Sequence, residues 1–218
     1  MCVSNIQAII FDLDGVLLST DKYHYIAWKA LADELGIPFC EKDNEAFRGV
    51  SRMDCMEILL SKKKSLVLTE EQKVAYANQK NDSYRKLLET LSPSFIEDEV
   101  RATLEALRKK GYRLAVGSSS KNSKYILNRT ALTEAFDAIV DGNDISRSKP
   151  DPEVFLKAAE QLGADPCCCA VIEDAEAGLA AAVAGGMMPI AIGEARGSQL
   201  AKLSVECLGE LNHIFVKG

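Results

Sequence analysis

The stretch AIIFDLDGVLLST, residues 8 to 20, ends an apolar run in two carboxylates one residue apart, Asp12 and Asp14. Burying a carboxylate is costly, and two side by side repel each other. A cation held between them relieves both penalties. The alternative reading is a polar turn closed by Gly15, and this motif alone does not separate the two. Residues i and i+2 of an extended chain face the same way, so both carboxylates serve one side. A second acidic pair, Glu173 and Asp174, closes the apolar run CAVIED (169–174). Hydroxyls end RLAVGSSS (113–120), where SSSKN (118–122) runs into a helix N-terminus suited to phosphate. Lys149 stands in SKPDP (148–152), beyond the run DAIVDG (137–142). An oxygen-only ligand set favours Mg²⁺, a hard cation that takes phosphate as a partner.

These side chains converge only if the apolar runs are neighbouring strands. IQAIIFD (6–12), RLAVGSSS, DAIVDG, CAVIED and MPIAIG (188–193) are short and nearly continuous in apolar residues, as strands buried on both faces are. Helical spacing fills the gaps. Over 98–110, Val100, Leu104 and Leu107 share a face, and Gly111 suits the C-terminal stop. In DPEVFLKAAEQLG (151–163), Asp151 is the expected N-cap, Pro152 the first helical residue and Gly163 the stop. Such alternation predicts βαβ units, an α/β fold and a parallel sheet, with ligands outside the carboxyl ends of the strands. Residues 16 to about 92 break the pattern with helical stretches only, at 22–35, 51–62 and 69–91. The last opens on a capping box of Thr69 and Gln72. The expectation is one domain from 1–16 with 93–218, and a helical second domain, 17–92.

Composition narrows the function. At 47% hydrophobic and 27% charged the chain is an ordinary soluble type, and no run of about 18 apolar residues offers a membrane span. MCVSNIQAII lacks a basic flank and runs directly into a strand pattern, which argues against a signal peptide. A net charge of −6 argues against general nucleic-acid binding, but not against small anions held by a few converging cations. Seven cysteines without a CxxC read as reduced thiols of a cytoplasmic protein. Cys167, Cys168 and Cys169 on an extending chain would point to alternating faces as small buried hydrophobes, and only His24 and His213 could supplement a zinc site.

DLDG, SSS, KPDP and IED, in that order, resemble the four motifs of the haloacid dehalogenase superfamily, and the resemblance covers essentially the whole chain. It implies a Rossmann-like, doubly wound parallel sheet with an inserted all-helical cap, and a mechanism through an aspartyl-phosphate. It implies that Asp12 is the nucleophile, and that Asp14 is the general acid and base, its backbone carbonyl binding metal. Asp12, Asp14, Glu173 and Asp174 are then the Mg²⁺ site, with Glu173 a ligand or its support. Lys149 and Ser118 hold the transferring phosphoryl group. In such chemistry positioning and neutralisation supply the catalysis.

A narrower resemblance, carried by STDKYHYIAWKALADELGI, RGVSRMDCMEIL, NQKNDSY and GSSSKNSKYIL, is to the β-phosphoglucomutase family. It implies interconversion of β-glucose 1-phosphate and glucose 6-phosphate through a bound bisphosphate. A mutase, unlike a phosphatase, must hold both ends of a bisphosphate. The substrate-binding set implied is Arg48, Gly49, Val50, Ser51, Arg52, Cys55, Ser118, Ser119, Ser120, Lys121, Asn122 and Lys149, with His24, Trp28 and Lys80. Arg52, Lys121 and Asn122 form the expected distal phosphate clamp, Arg52 offering a bidentate fork. His24 is expected to bridge the domains and align Asp14. Trp28 is a sugar platform or core, and Lys80 reaches the sugar or is solvated. Cys55 stands where the resemblance leads one to expect a serine. The alternatives are a sugar-phosphate phosphatase on the same scaffold and a non-catalytic metabolite-binding module. A monomer acting on a small-molecule sugar phosphate is expected.

Overall fold

A computed structural model describes residues 3–216 and divides into two compact units, Met1–Ser19 with Ser92–Gly218, and Thr20–Leu91. A 3₁₀ turn over Val3–Asn5 leads into the first strand, β1 (Ala8–Phe11). The second unit then supplies α1 (Asp21–Leu35), α2 (Glu41–Glu45), α3 (Arg52–Ser61) and α4 (Glu70–Leu88). The first unit resumes with α5 (Asp98–Lys109), β2 (Arg113–Gly117), α6 (Ser123–Arg129), β3 (Ala138–Val140) and α7 (Glu153–Gln161). It ends with β4 (Cys169–Glu173), α8 (Glu176–Ala184), β5 (Met188–Ala191), β6 (Leu203–Ser204) and α9 (Leu211–Ile214).

The sheet order is β3-β2-β1-β4-β5-β6, with every pairing parallel. Chain order therefore reverses between β1 and β4, the switch point at which doubly wound sheets bind ligands. The continuous apolar runs have a simple cause. Ala8, Ile10, Ala115, Val140 and Val171 point to one face and pack with Val154, Phe155 and Ala158 of α7 and Ala181 and Ala182 of α8. The alternating residues Ile9, Phe11, Leu114 and Ile172 are fully buried as well. Both faces are covered, so no polar alternation survives in the sequence.

Several expected boundaries move. The strand expected over 113–120 stops at Gly117, leaving three serines in the loop, and the helix expected over 69–91 stops at Leu88. Pro152 precedes the first helical residue of α7 instead of occupying it. Asp151 still satisfies an orphan donor there, its Oδ1 accepting the Glu153 N–H at 3.0 Å. The Thr69–Gln72 capping box forms reciprocally, at 2.9 and 3.3 Å.

The second unit has its own core of Trp28, Leu31, Ile37, Phe39, Phe47, Met56, Leu59 and Ala77. Helix α1 ends at Gly36, whose φ of 63° lets its N–H reach the Ala32 and Asp33 carbonyls. Among the described residues no helix is long and apolar enough to cross a membrane.

Candidate active site

The carboxyl edge of β1 and β4 assembles the chemistry. Asp12 follows β1, and its N–H donates to the Ile172 carbonyl at 3.0 Å, which extends the parallel ladder and fixes where the carboxylate stands. Glu173 is the last residue of β4 and Asp174 the next. Lys149 arrives from the loop between β3 and α7. Its Nζ donates to Asp12 Oδ1 at 2.5 Å and to Glu173 Oε1, and lies 4.7 Å from the centre of the Phe155 ring. Oxygens of Asp12, Glu173 and Asp174 all lie within 4.8 Å of one another. The three residues of the ion-pair network are nearly sealed from water, at 8% exposure for Asp12, 7% for Lys149 and 1% for Glu173.

Electrostatics here are unbalanced in one direction. Three carboxylates face one ammonium. Burial alone would depress the Lys149 ammonium, but Asp12 and Glu173 reverse that and hold it above its ordinary value. Burial, with repulsion from Asp12, pushes Glu173 up to about 7 against the pull of Lys149. Burial, then Asp12, Glu173 and Asp14, push Asp174 up to about 8. Lys149 offsets only part of the negative charge. An oxygen-only donor set with surplus negative charge fits a hard divalent cation.

Two glycines shape this edge. A Cβ on Gly15, whose φ is 90°, would lie 1.9 Å from Asp174 Oδ2. A Cβ on Gly178, in the first turn of α8, would lie 1.9 Å from both Cδ and Oε1 of Glu173. Glu173 Oε2 uses that space to accept the Asp174 and Ala175 N–H groups, each at 3.1 Å. Gly178 and Phe155 were not singled out in the sequence. The only available signal was the glycine four residues after IED, inside a helical pattern.

The serine loop lies at the same edge. The Ser118 N–H donates to the Val140 carbonyl at 3.1 Å, and its buried Oγ accepts the Ser120 N–H at 3.3 Å. Ser120 Oγ accepts the Asn122 N–H at 3.3 Å. Ser119 Oγ is buried without a hydrogen-bond partner. Asn122 is buried and Lys121 exposed. Asp14 is half-buried and paired with Leu18 in a one-residue bridge, and its side chain is not in the three-carboxylate group.

In the second unit the expected substrate residues divide. Arg52 begins α3, is half-buried, and donates through Nη2 to Asn81 Oδ1 at 2.8 Å. Ser51 caps that helix by accepting the Asp54 N–H. Arg48 is committed to Asp21, its Nε donating at 2.6 Å. Gly49 is exposed with a φ of 71°, and Val50 packs against the core.

Three side chains of the expected set are enclosed by packing. Trp28 is 2% exposed and edge-on to Phe47 at 5.2 Å, so its indole is core and no open sugar platform. Lys80 is not solvated: it is 4% exposed, with Nζ at 4.7 and 4.8 Å over the Trp28 and Tyr84 rings and 2.9 Å from His24 Nδ1. An ammonium has no lone pair, so His24 Nδ1 accepts and the ring proton is on Nε2. Burial, then Lys80 and Arg52, hold His24 well below the ordinary histidine value, which keeps it neutral. Cys55 is buried, with its thiol turned to the Phe47 and Val50 carbonyls at 3.7 Å and pushed up to about 12 by burial. Its thiol supports the loop before α3.

The haloacid dehalogenase-like hydrolase family matches residues 6–186, a span that holds all four motifs. The chain belongs to that family. It is 37% identical to a β-phosphoglucomutase of Bacillus subtilis over 206 residues, 94% of this chain and 91% of that one. A phosphorylated carbohydrates phosphatase of Thermotoga maritima is 30% identical over 183 residues, 83% of this chain and 82% of that one. Among solved structures, a β-phosphoglucomutase from Clostridium difficile superimposes with a TM-score of 0.87 at 35% identity, covering 94% of this chain and 93% of that one.

Proposed function

We propose that this chain is a phosphomutase that interconverts β-D-glucose 1-phosphate and glucose 6-phosphate, using Mg²⁺ and passing through an aspartyl-phosphate and a bound glucose 1,6-bisphosphate. The observation that carries the reading is likeness to β-phosphoglucomutases over almost the full length, together with an intact Asp12–Lys149–Glu173–Asp174 cluster. Asp12 attacks phosphorus, and Lys149 orients its carboxylate and neutralises charge on the transferring group. Asp12 and Asp174 hold the metal, with the Asp14 carbonyl, and Glu173 supports them through Lys149. When bound, the ion neutralises phosphate oxygens that would otherwise repel the attacking carboxylate. Asp14 moves the sugar hydroxyl proton, and Ser118 holds the phosphoryl group. Arg52 is the distal-phosphate ligand that a mutase needs. In this reading the sheet unit is the catalytic core and the helical unit sets specificity.

The test supplies β-glucose 1-phosphate, Mg²⁺ and trace glucose 1,6-bisphosphate, and compares glucose 6-phosphate with inorganic phosphate released. Dominant glucose 6-phosphate is expected. Dominant phosphate release would favour the second reading, a sugar-phosphate phosphatase, which the 30% identity to the Thermotoga enzyme keeps in view. Asp12→Asn should abolish phosphoenzyme formation, because an amide is a poor nucleophile. Stable phosphate labelling of that variant would remove Asp12 from its role.

A further inference from the structure

The cysteine triplet takes no part in this chemistry, and the structure overturns its expected burial. Asp165 and Pro166 start a 3₁₀ turn over Pro166–Cys168, with Asp165 Oδ1 accepting the Cys167 N–H at 2.9 Å. Only Cys169, the first residue of β4, is buried, its thiol donating to the Asp165 carbonyl at 3.3 Å. Cys167 is exposed and Cys168 half-buried. The turn brings their two sulfurs to the same side, 3.9 Å apart. The Asp165 carboxylate accepts from the Cys167 thiol and holds it up at about 11.

That sulfur spacing has a chemical meaning. Tetrahedral zinc, with Zn–S bonds of about 2.3 Å, separates two thiolates by about 3.8 Å. The pair therefore meets a chelating geometry with little rearrangement, on a turn anchored at both ends: by the Asp165 cap, and by the Cys168 carbonyl accepting the Gln7 N–H at 2.8 Å. We propose that Cys167 and Cys168 form a two-thiolate site for a soft divalent d¹⁰ cation, Zn²⁺ or Cd²⁺, with the Asp165 carboxylate beside Cys167 and water completing the coordination. Each sulfur gives its S–H proton to solvent and its electron pair to the metal, so binding one M²⁺ releases two protons. Nothing is oxidised or reduced. The site lies at the amino end of β4, five residues of strand from Glu173, and is chemically distinct: sulfur selects soft ions, whereas the carboxylate edge suits hard ones.

The experiment titrates Cd²⁺ into the reduced full chain in excess Mg²⁺ and follows the thiolate-to-cadmium charge-transfer band, which only sulfur ligation produces. Saturation near one equivalent is expected, with at least a tenfold loss of affinity in Cys167→Ser and in Cys168→Ser. Replacing Cys2, Cys40 and Cys207 by serine should leave the band unchanged. Asp165→Asn, which keeps a capping oxygen but removes the charge, should weaken binding several-fold; unchanged affinity would remove Asp165 from the site. As a second readout, Cd²⁺ should protect Cys167 and Cys168 from alkylation while Cys40 and Cys207 react. Absence of the band at ten equivalents, its persistence in the double variant, or equal alkylation of all exposed cysteines would overturn the proposal.

Discussion

Gly178→Ala is the sharpest test of how the acidic edge is built, because two physical effects predict opposite signs. Gly178 lies inside α8, where alanine is favoured over glycine by about 1 kcal/mol if space is open. Space is not open: the new methyl would lie 1.9 Å from Cδ and Oε1 of Glu173 and 2.5 Å from Oε2. Glu173 cannot swing into water, being 1% exposed, and any shift strains its bond to Lys149 and two backbone N–H bonds. Uncoupling one partner of a buried ion pair costs about 3–5 kcal/mol. Subtracting the propensity gain leaves a net loss of about 2–4 kcal/mol. For a chain of this size that is a fall in melting temperature of about 5–15 °C. Lys149 would lose its second anchor, so phosphoryl transfer should fall at least a hundredfold. Gly197→Ala is the control, since a methyl added there would meet nothing within 4 Å, and it should be neutral. The assay pairs calorimetric melting with glucose 6-phosphate production. Equal or higher stability of Gly178→Ala with full activity would refute the claim that this glycine exists to seat Glu173.

Other outcomes follow from the same geometry. Glu173 at about 7 and Asp174 at about 8 bind more protons folded than unfolded, so metal-depleted protein should lose stability as pH rises from about 4 to 8. Mg²⁺ at a hundredfold excess over its dissociation constant should restore about 2.7 kcal/mol, and melting curves should show a larger Mg²⁺ shift at pH 8 than at pH 5; a shift independent of pH would contradict the carboxylate site. Arg52→Ala should lower mutase turnover far more than hydrolysis of a small phosphoryl donor, and Arg52→Lys should recover only part of it because the fork is lost; equal losses in both assays would remove the distal-phosphate role. Ser119→Ala should be neutral or stabilising by up to about 1 kcal/mol in denaturant unfolding, because the hydroxyl it removes is buried without a partner; a loss above that would mean an unseen water or ligand satisfies it.

The sheet and its acidic edge were legible because their causes are local. A strand buried on both faces must be apolar throughout, and a carboxylate at its end interrupts that run, so Asp12 and Glu173 announce themselves in one dimension. Lys149 was placed by its loop, and its bonds to Asp12 and Glu173 required only that β1 and β4 be neighbours. What failed to show has its cause in three dimensions. Trp28 on α1 has the same helical spacing whether it faces a sugar or Phe47, and only packing decides. Lys80 looks like any helix lysine until two aromatic faces and His24 enclose it. The cysteine triplet was misjudged through one local assumption, that the chain there extends. Asp165 and Pro166 immediately before it are a turn-initiating pair, and that signal was present.

The same contrast explains why the edge tolerates its own repulsion. Asp12, Glu173 and Asp174 would separate if each were free to move. Asp12 is pinned by its backbone bond to Ile172, and Glu173 by two backbone N–H groups, Lys149 and the space Gly178 leaves. Asp174 has Gly15 against its carboxylate. Folding energy from the buried sheet thus holds like charges together, and burial, joined by that repulsion, keeps Glu173 and Asp174 raised. If that is the source of the metal affinity, Gly178→Ala and Gly15→Ala must both weaken Mg²⁺ binding, although neither glycine is a ligand. A calorimetric titration in which either variant binds Mg²⁺ as tightly as the parent would show that the ion assembles its own site.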